Sequence, residues 1–333
     1  MVLYCWQATI RVARPDTWDV AFVQAFLHAA SYRSHVTTEI VVAKANWWHT
    51  LSRVAIIRLL VFFVVLHAVY QYVQYPLEWI SNKLPDAFLP PAMLAATAFF
   101  SLVMLGTYVL LVRLFERRPA TELSFRGRGR RLAAWGALLG FLLFCLIYGV
   151  LFLLGVAHWE GRAGFGGALI MLIIAIISGI GEELAYRGGF FRILEESVGT
   201  LGAIILSAAL FAYYHIGNPG ATAVSTIAIA LEAGVLLAAA YMVSRNLWFP
   251  IGLHFAWNFT EGGVFGAIVS GKAFHGIFKV PLSGNVLLTG GAFGPEASLV
   301  AVAVCFTAAL ILIAIAIRNG RWKPFTFRLM LEP

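Results

Sequence analysis

The sequence predicts an all-α membrane protein, a polytopic bundle of about eight transmembrane helices. Hydrophobic residues make up 61% of the 333 residues and charged residues only 12%, about half of the 25% that soluble domains carry. The mean hydropathy of +0.84 shows that most of the surface needs lipid as its solvent. Apolar runs of spanning length recur along the chain, and none shows the alternation of a membrane β-barrel.

Each apolar run is close to the roughly 17–25 residues that a helix needs to cross a bilayer. The predicted spans lie near residues 54–75, 92–112, 132–157, 166–190, 199–217, 221–243, 246–266 and 297–317. We expect three regions, which are an N-terminal extension (1–50), two spans with a basic loop (51–131) and the main helical bundle (132–333). Within the extension, residues 18–30 form either an amphipathic helix on the membrane surface or a poorly ordered segment.

Basic residues occur at alternate connections between the predicted spans. Residues 113–131 contain seven arginines, and further cations stand at Arg245 and in residues 318–328. The connections between them are poor in Lys and Arg. This asymmetry predicts a multi-pass protein of the plasma membrane with both termini in the cytoplasm. The net charge of +8 belongs to these connections, so the bilayer is the expected partner and nucleic acid is not.

The fourth predicted span contains three ionisable residues, Glu182, Glu183 and Arg187. Such residues are costly inside a membrane and indicate function by default. Glu183 and Arg187 are four residues apart, so they share a helix face and can form an ion pair. Glu182 is offset by about 100° and is left available for chemistry. A purely structural charge network is the alternative interpretation.

Two histidines and an asparagine complete the set of candidate residues. Glu182 and His215 stand about 16 residues on either side of a turn predicted near residues 196–200, so they lie at a similar depth in antiparallel helices. His254 and Asn258 are four residues apart and share a face of the seventh span. Asn and His side chains can donate hydrogen bonds to a developing oxyanion.

Two further acids and a possible metal have weaker signals. Glu232 is interpreted as an additional site residue or as a hydrogen bonder between helices, and Glu261 as a residue at a water-facing rim. No cofactor is expected. Zinc is the chemical alternative, because it accepts Glu and His ligands such as Glu182, His215 and His254. However, the sequence contains no H-E-x-x-H pattern.

Three motifs resemble those of the CPBP family, which includes type II CAAX prenyl proteases and bacteriocin-processing or self-immunity proteins. The family pattern is E-E-x-x-x-R, then F-x-x-x-H, then H-x-x-x-N or H-x-x-x-D. This sequence has EELAYR (182–187), FAYYH (211–215) and HFAWN (254–258) in that order, and TGGAFGPEAS (289–298) resembles a segment of bacterial members. The resemblance covers about residues 165–320.

The resemblance implies a glutamic-type intramembrane protease with a cavity open to the cytoplasm. Glu182 and His215 would activate a water, and His254 and Asn258 would hold the oxyanion. The motif also places Glu183 and Arg187 at positions that support the site.

Three functions follow from these observations. The first is an intramembrane endopeptidase that acts on a peptide or membrane-protein substrate. Since no Ser-His-Asp order or G-x-S-x-G motif is visible, its nucleophile would be water. The second is a catalytically silent scaffold or immunity protein, and the third is a membrane transporter. Transport is disfavoured because the charges gather in consecutive C-terminal spans rather than in two repeated halves.

Overall fold

The computed structural model describes residues 54–83 and 89–329, so the prediction for residues 1–50 falls outside this part of the chain. The structure is built from α-helices with a few two-residue strands. The helices are α1 (Ala55–Lys83), α2 (Leu89–Leu111), α3 (Arg128–Leu153), α4 (Gly166–Glu183), α5 (Arg192–Tyr214), α6 (Ala223–Ile229), α7 (Val235–Ser244), α8 (Trp248–Asn258), α9 (Val286–Thr289) and α10 (Leu299–Arg318). The strands are β1 (Gly161–Arg162), β2 (Ile268–Val269), β3 (Lys272–Ala273) and β4 (Phe278–Lys279).

The predicted fold class, a helical membrane bundle, is confirmed. In the described ranges, six helices are long and apolar enough to cross a membrane. The longest, Gly166–Gly217, has 52 residues and contains both the fourth and the fifth predicted spans. The seventh predicted span corresponds to α8 and its continuation to Val264.

The fourth and fifth predicted spans are separated at Gly199. Its φ of 77° lies in the left-handed region that glycine tolerates best. A Cβ atom at this position would also meet the carbonyl oxygen of Pro324 at 2.4 Å. Gly199 lies within the turn predicted at residues 196–200. The chain turns back at Gly199, so α4 and the part of α5 after Gly199 form a hairpin. Residues before and after the turn can therefore face each other.

One end of the bundle, which we call the basic end, joins the start of α1, the C-terminal ends of α2, α7 and α10, the start of α3 and the turn at Gly199. Arg192 pairs with Glu116 at 2.5 Å. The backbone N–H of Lys323 donates to Thr200 Oγ1 at 2.8 Å. The bond to Thr200 holds the C-terminal segment 321–329 against the α4–α5 turn, and the Arg192–Glu116 pair connects α5 with the residues that follow α2.

The other end, which we call the loop end, consists of residues 76–83, 89–91, 154–165, 215–222 and 265–298 and the helix termini next to them. Within it, β1 pairs with β4 and β2 pairs with β3, both antiparallel. The N–H of Gly271 donates to the carbonyl of Phe293 at 2.7 Å. Segment 265–298 is therefore ordered by its own contacts and by contacts with residues 154–165.

Close packing of α3 against α8 depends on small residues. A Cβ atom added at Gly140 would meet the carbonyl oxygen of Leu253 at 2.3 Å, and one at Gly252 would meet that of Ala133 at 2.2 Å. Helices in lipid approach this closely only where side chains are absent. The missing side chains at Gly140 and Gly252 thus let α3 and α8 touch, which fixes α8 in position.

Three wide π-type turns interrupt the helices near the centre of the bundle. They span Leu184–Phe191, Ala230–Gly234 and Phe259–Val264. Turns of this kind are rare and occur frequently at functional sites. Each lies beside or contains an acidic residue that the sequence analysis singled out.

Candidate active site

The four predicted catalytic residues line one cavity of about 350 Å³. Glu182 comes from α4, His215 from the end of α5, and His254 and Asn258 from α8. Each imidazole and the amide are at least nine-tenths buried, while the Glu182 side chain keeps 12% of its surface exposed. The structure thus brings together polar groups that the sequence spreads over more than seventy residues.

Glu183 links an arginine to one of the histidines. Arg187 Nη1 donates to Glu183 Oε1 at 2.9 Å, as the four-residue spacing predicts. His254 Nδ1 lies 2.9 Å from the same oxygen, a contact that the spacing could not predict. Arg187 Nη2 also donates to the carbonyls of Ala233 and Gly234. Because all three side chains are buried, this chain of bonds fixes the His254 ring relative to α4.

Glu182 lies near the Nε2 atom of His254, whereas Glu183 contacts the Nδ1 atom of the same ring. Glu182 Oε2 lies 3.9 Å from His254 Nε2, too far for a direct hydrogen bond. Two atoms at that separation can each lie about 2.8 Å from a single oxygen placed between them. The pair is therefore spaced to hold a water or a substrate oxygen. The other carboxylate oxygen, Oε1, accepts from the Tyr70 hydroxyl of α1 at 3.4 Å.

His215 is held in one tautomer. Its Nδ1 lies 2.8 Å from the carbonyl oxygen of Phe211, which can only accept a hydrogen bond. The Nδ1 atom therefore carries the proton, and the neutral ring has its lone pair on Nε2. The F-x-x-x-H spacing produces this bond, because residues four apart are adjacent along a helix.

Asn258 is anchored by a serine that the sequence analysis did not select. Its Nδ2 donates to Ser178 Oγ at 3.0 Å. Ser178 stands one helical turn before Glu182 and lines the same cavity. An amide NH₂ group has two donors, so one remains for a substrate oxygen.

Three buried acids near the cavity form no ion pair with Lys or Arg among the described residues. Glu232 and Glu296 line the cavity, and Glu261 is fully buried. The expectation that Glu261 lies at a water-facing rim is wrong, because the π-type turn after Asn258 directs it inward. Glu232 both lines the cavity and hydrogen-bonds with Cys305 of α10, which fits both of its interpretations.

The other buried acids each pair with an arginine. They are Glu116, Glu122, Glu183 and Glu195. Glu296 instead accepts bonds from the N–H and the hydroxyl of Ser270 at 2.7 and 2.8 Å. Burial raises the pKa of Glu296 above its ordinary value, although the bonds from Ser270 oppose this shift. Two acids without an arginine partner, Glu232 and Glu296, therefore form part of the cavity wall.

The described residues contain no evident ligand set for zinc. Within residues 54–83 and 89–329, no three His, Cys, Asp or Glu side chains are grouped so as to hold a metal ion. The absence of a cofactor stays a prediction.

Tyr70, Ser178 and Glu296 are the residues that sequence reasoning missed. Ser178 could have been found, because it is four residues from Glu182 on the same helix face. Tyr70 and Glu296 lie in distant segments, and no spacing rule connects them to the motifs. A Cβ atom at Gly181 would meet the Tyr70 ring at 2.3 Å. The absence of a side chain at this glycine therefore leaves room for the Tyr70 ring beside Glu182.

Comparison with known proteins supports the family resemblance. Residues 164–260 match the model of the family described as type II CAAX prenyl endopeptidase Rce1-like. No curated protein and no solved structure gave a significant match. The matched range contains all four predicted catalytic residues, together with Glu183 and Arg187. Tyr70 and Glu296 lie outside it. The resemblance to the CPBP family is thus confirmed over residues 164–260, which are similar to the family of Rce1-like type II CAAX prenyl endopeptidases.

Proposed function

We propose that this protein is an intramembrane endopeptidase that hydrolyses peptide bonds with a water activated by Glu182 and His215. The observation that carries the proposal is the convergence of Glu182, His215, His254 and Asn258 on one cavity inside a helical membrane bundle. The family match indicates a peptide hydrolase, and a peptide or membrane protein is the corresponding substrate.

Water activation requires proton acceptors that face the cavity. Glu182 offers a carboxylate oxygen, and His215 offers Nε2 because its Nδ1–H is held by the Phe211 carbonyl. A water between them loses its proton to one of these groups as its oxygen attacks the peptide carbonyl. The same group then returns the proton to the leaving amine, so the atoms balance over one cycle.

The tetrahedral oxygen needs donors on the opposite side. His254 can donate through Nε2 only if Nδ1 also carries a proton, because Nδ1 faces the carboxylate of Glu183. The ring then acts as an imidazolium between the carboxylates of Glu183 and Glu182. Asn258 supplies a second donor from its Nδ2 group. Donors that are fixed before the reaction are worth about 10²–10³ in rate each.

The test is peptide cleavage by the purified protein in liposomes, followed by mass spectrometry of a peptide mixture. We expect Glu182→Gln to abolish cleavage and Glu160→Gln, at an exposed glutamate of the loop end, to leave it unchanged. We expect His254→Ala and Asn258→Ala each to lower the rate by about 10²–10³. Normal cleavage by a folded Glu182→Gln protein would remove the assignment. Absence of cleavage by the wild type would favour the scaffold alternative.

A chelator provides the second arm of this test. We expect activity to persist in a strong chelator. Loss of activity that added zinc restores would replace the proposed mechanism with a metal-assisted one.

A further inference from the structure

The cavity lies in the half of the bundle that is next to the loop end. On α4 its lining residues run from Glu182 back to Ile174, toward the helix start at Gly166. On α8 they run from Leu253 forward to Asn258, toward the end of that helix. Because α4 begins and α8 ends at the loop end, both helices extend the cavity in the same direction.

The connecting segments that line the cavity all belong to the loop end. They are represented by Gly217, Asn218, Ser270, Lys272 and Glu296. No residue of the basic-end connections within the described ranges is among the lining residues. Gly217 and Lys272 are exposed to solvent, so the cavity reaches the surface at the loop end.

The distribution of positive charge indicates that the basic end and the loop end lie on opposite sides of the membrane. The basic-end segment 113–131 contains seven arginines, and segment 318–328 contributes Arg318, Arg321, Lys323 and Arg328. The four loop-end connections together contain Lys83, Arg162, Lys272 and Lys279. An excess of Lys and Arg in short connections marks the cytoplasmic side. The basic end then faces the cytoplasm and the cavity mouth faces away from it.

We propose that the active site takes its substrate from the extracytoplasmic face, as an unfolded peptide segment presented there by a secreted or membrane protein. This inference rests on the proposed function and specifies its substrate class. It replaces the expectation of a cytoplasmic opening that the family resemblance implied. A prenylated tail on the cytoplasmic surface would meet the basic end, where none of the described residues lines the cavity.

The depth of Glu182 sets the length of such a substrate. Glu182 is eight residues from Ile174, the cavity-lining residue of α4 nearest the loop end, which corresponds to about 12 Å of helix. An extended chain covers at most about 3.3–3.6 Å per residue. About four unfolded residues must therefore enter the cavity before the scissile bond reaches Glu182. Folded ectodomains without such a segment are excluded as substrates.

Cysteine labelling in intact cells tests the orientation. Lys272→Cys, Lys279→Cys and Arg126→Cys are made in a background whose three native cysteines are replaced by alanine. We expect a membrane-impermeant maleimide to label Lys272→Cys and Lys279→Cys directly and Arg126→Cys only after permeabilisation. Labelling of Arg126→Cys in intact cells, with the other two protected, would overturn the orientation whatever the enzymatic activity.

Blocking of the mouth tests the entry route. A bulky maleimide on Lys272→Cys, which lines the cavity, is expected to lower cleavage at least tenfold. The same reagent on Lys279→Cys, which is exposed at the same end but does not line the cavity, is expected to change cleavage less than twofold. Equal effects at the two positions would refute entry through this mouth.

Sided vesicles separate this inference from the proposed function. A membrane-impermeant peptide that the detergent-solubilised enzyme cleaves is added outside right-side-out or inverted vesicles. We expect cleavage by the former and less than a tenth of that rate by the latter. Cleavage by inverted vesicles alone would overturn the inference while leaving the hydrolase intact. No cleavage in detergent would remove the proposed function itself and the substrate class with it.

Discussion

Replacing Glu183 by glutamine tests the charge balance of the site. Arg187 is fully buried, and Glu183 at 2.9 Å is the carboxylate it pairs with. Glutamine keeps the size of the side chain and removes its charge, so a buried guanidinium is left without an anion. Removing one partner of a buried ion pair typically costs about 3–5 kcal/mol. We expect a loss of stability in this range.

Glu261→Gln is the matched control. Glu261 is as deeply buried as Glu183, yet among the described residues it has no cationic partner. Its replacement leaves no buried positive charge unpaired, so we expect a change of less than about 1 kcal/mol. The measurement is reversible unfolding of both variants in mixed micelles of mild detergent and SDS. Equal losses for the two variants would refute the idea that Arg187 needs Glu183 as its counter-ion.

Three other substitutions test neighbouring parts of the structure. Tyr70→Phe keeps the ring but removes the hydroxyl that contacts Glu182, so we expect kcat to fall about tenfold with little change in KM. Ser178→Ala removes the anchor of Asn258, and we expect a similar loss of kcat without loss of stability. Glu122→Gln should reduce the dependence of stability on pH, because Glu122 is buried but its bonds to arginine outweigh burial and lower its pKa to about 2.

Tyr70→Phe has a control variant on the same helix. Tyr72, on the same helix as Tyr70, is 72% exposed, and Tyr72→Phe should leave kcat unchanged. A rise in KM with kcat unchanged, for Tyr70→Phe or Ser178→Ala, would contradict a positioning role.

For Glu122, the pKa is lower in the folded state than its ordinary value of 4.5. It therefore contributes stability above pH 4.5 that is lost as the pH falls toward 2. The shift corresponds to about 3 kcal/mol. If the unfolding free energies of wild type and Glu122→Gln fell in parallel between pH 5 and 2, this contribution would be absent.

Spacing along one helix could be read from the sequence because the 3.6-residue period is fixed by backbone geometry. The Glu183–Arg187 pair, the separate orientation of Glu182 and the shared cavity-facing side of His254 and Asn258 all follow from it. The meeting of Glu182 with His215 needed one further assumption, a turn near residues 196–200. Gly199 makes that turn, because its positive φ would strain residues with a side chain.

Contacts between distant helices were decided only by the tertiary structure. The bond from Glu183 to His254, the place of Tyr70 beside Glu182 and the burial of Glu261 depend on how helices pack and where π-type turns rotate them. No local pattern encodes those rotations, since each results from side-chain fit between segments far apart in sequence.

The sequence by itself determined that the chain crosses a membrane and which end carries the positive charge. It also determined which side chains are so costly in lipid that they indicate function. The physical reason is that hydropathy and charge act residue by residue, without reference to the fold. Only the tertiary structure decided that the cavity lies toward the opposite end, because a cavity exists only where several helices and the 265–298 segment fail to fill the space between them.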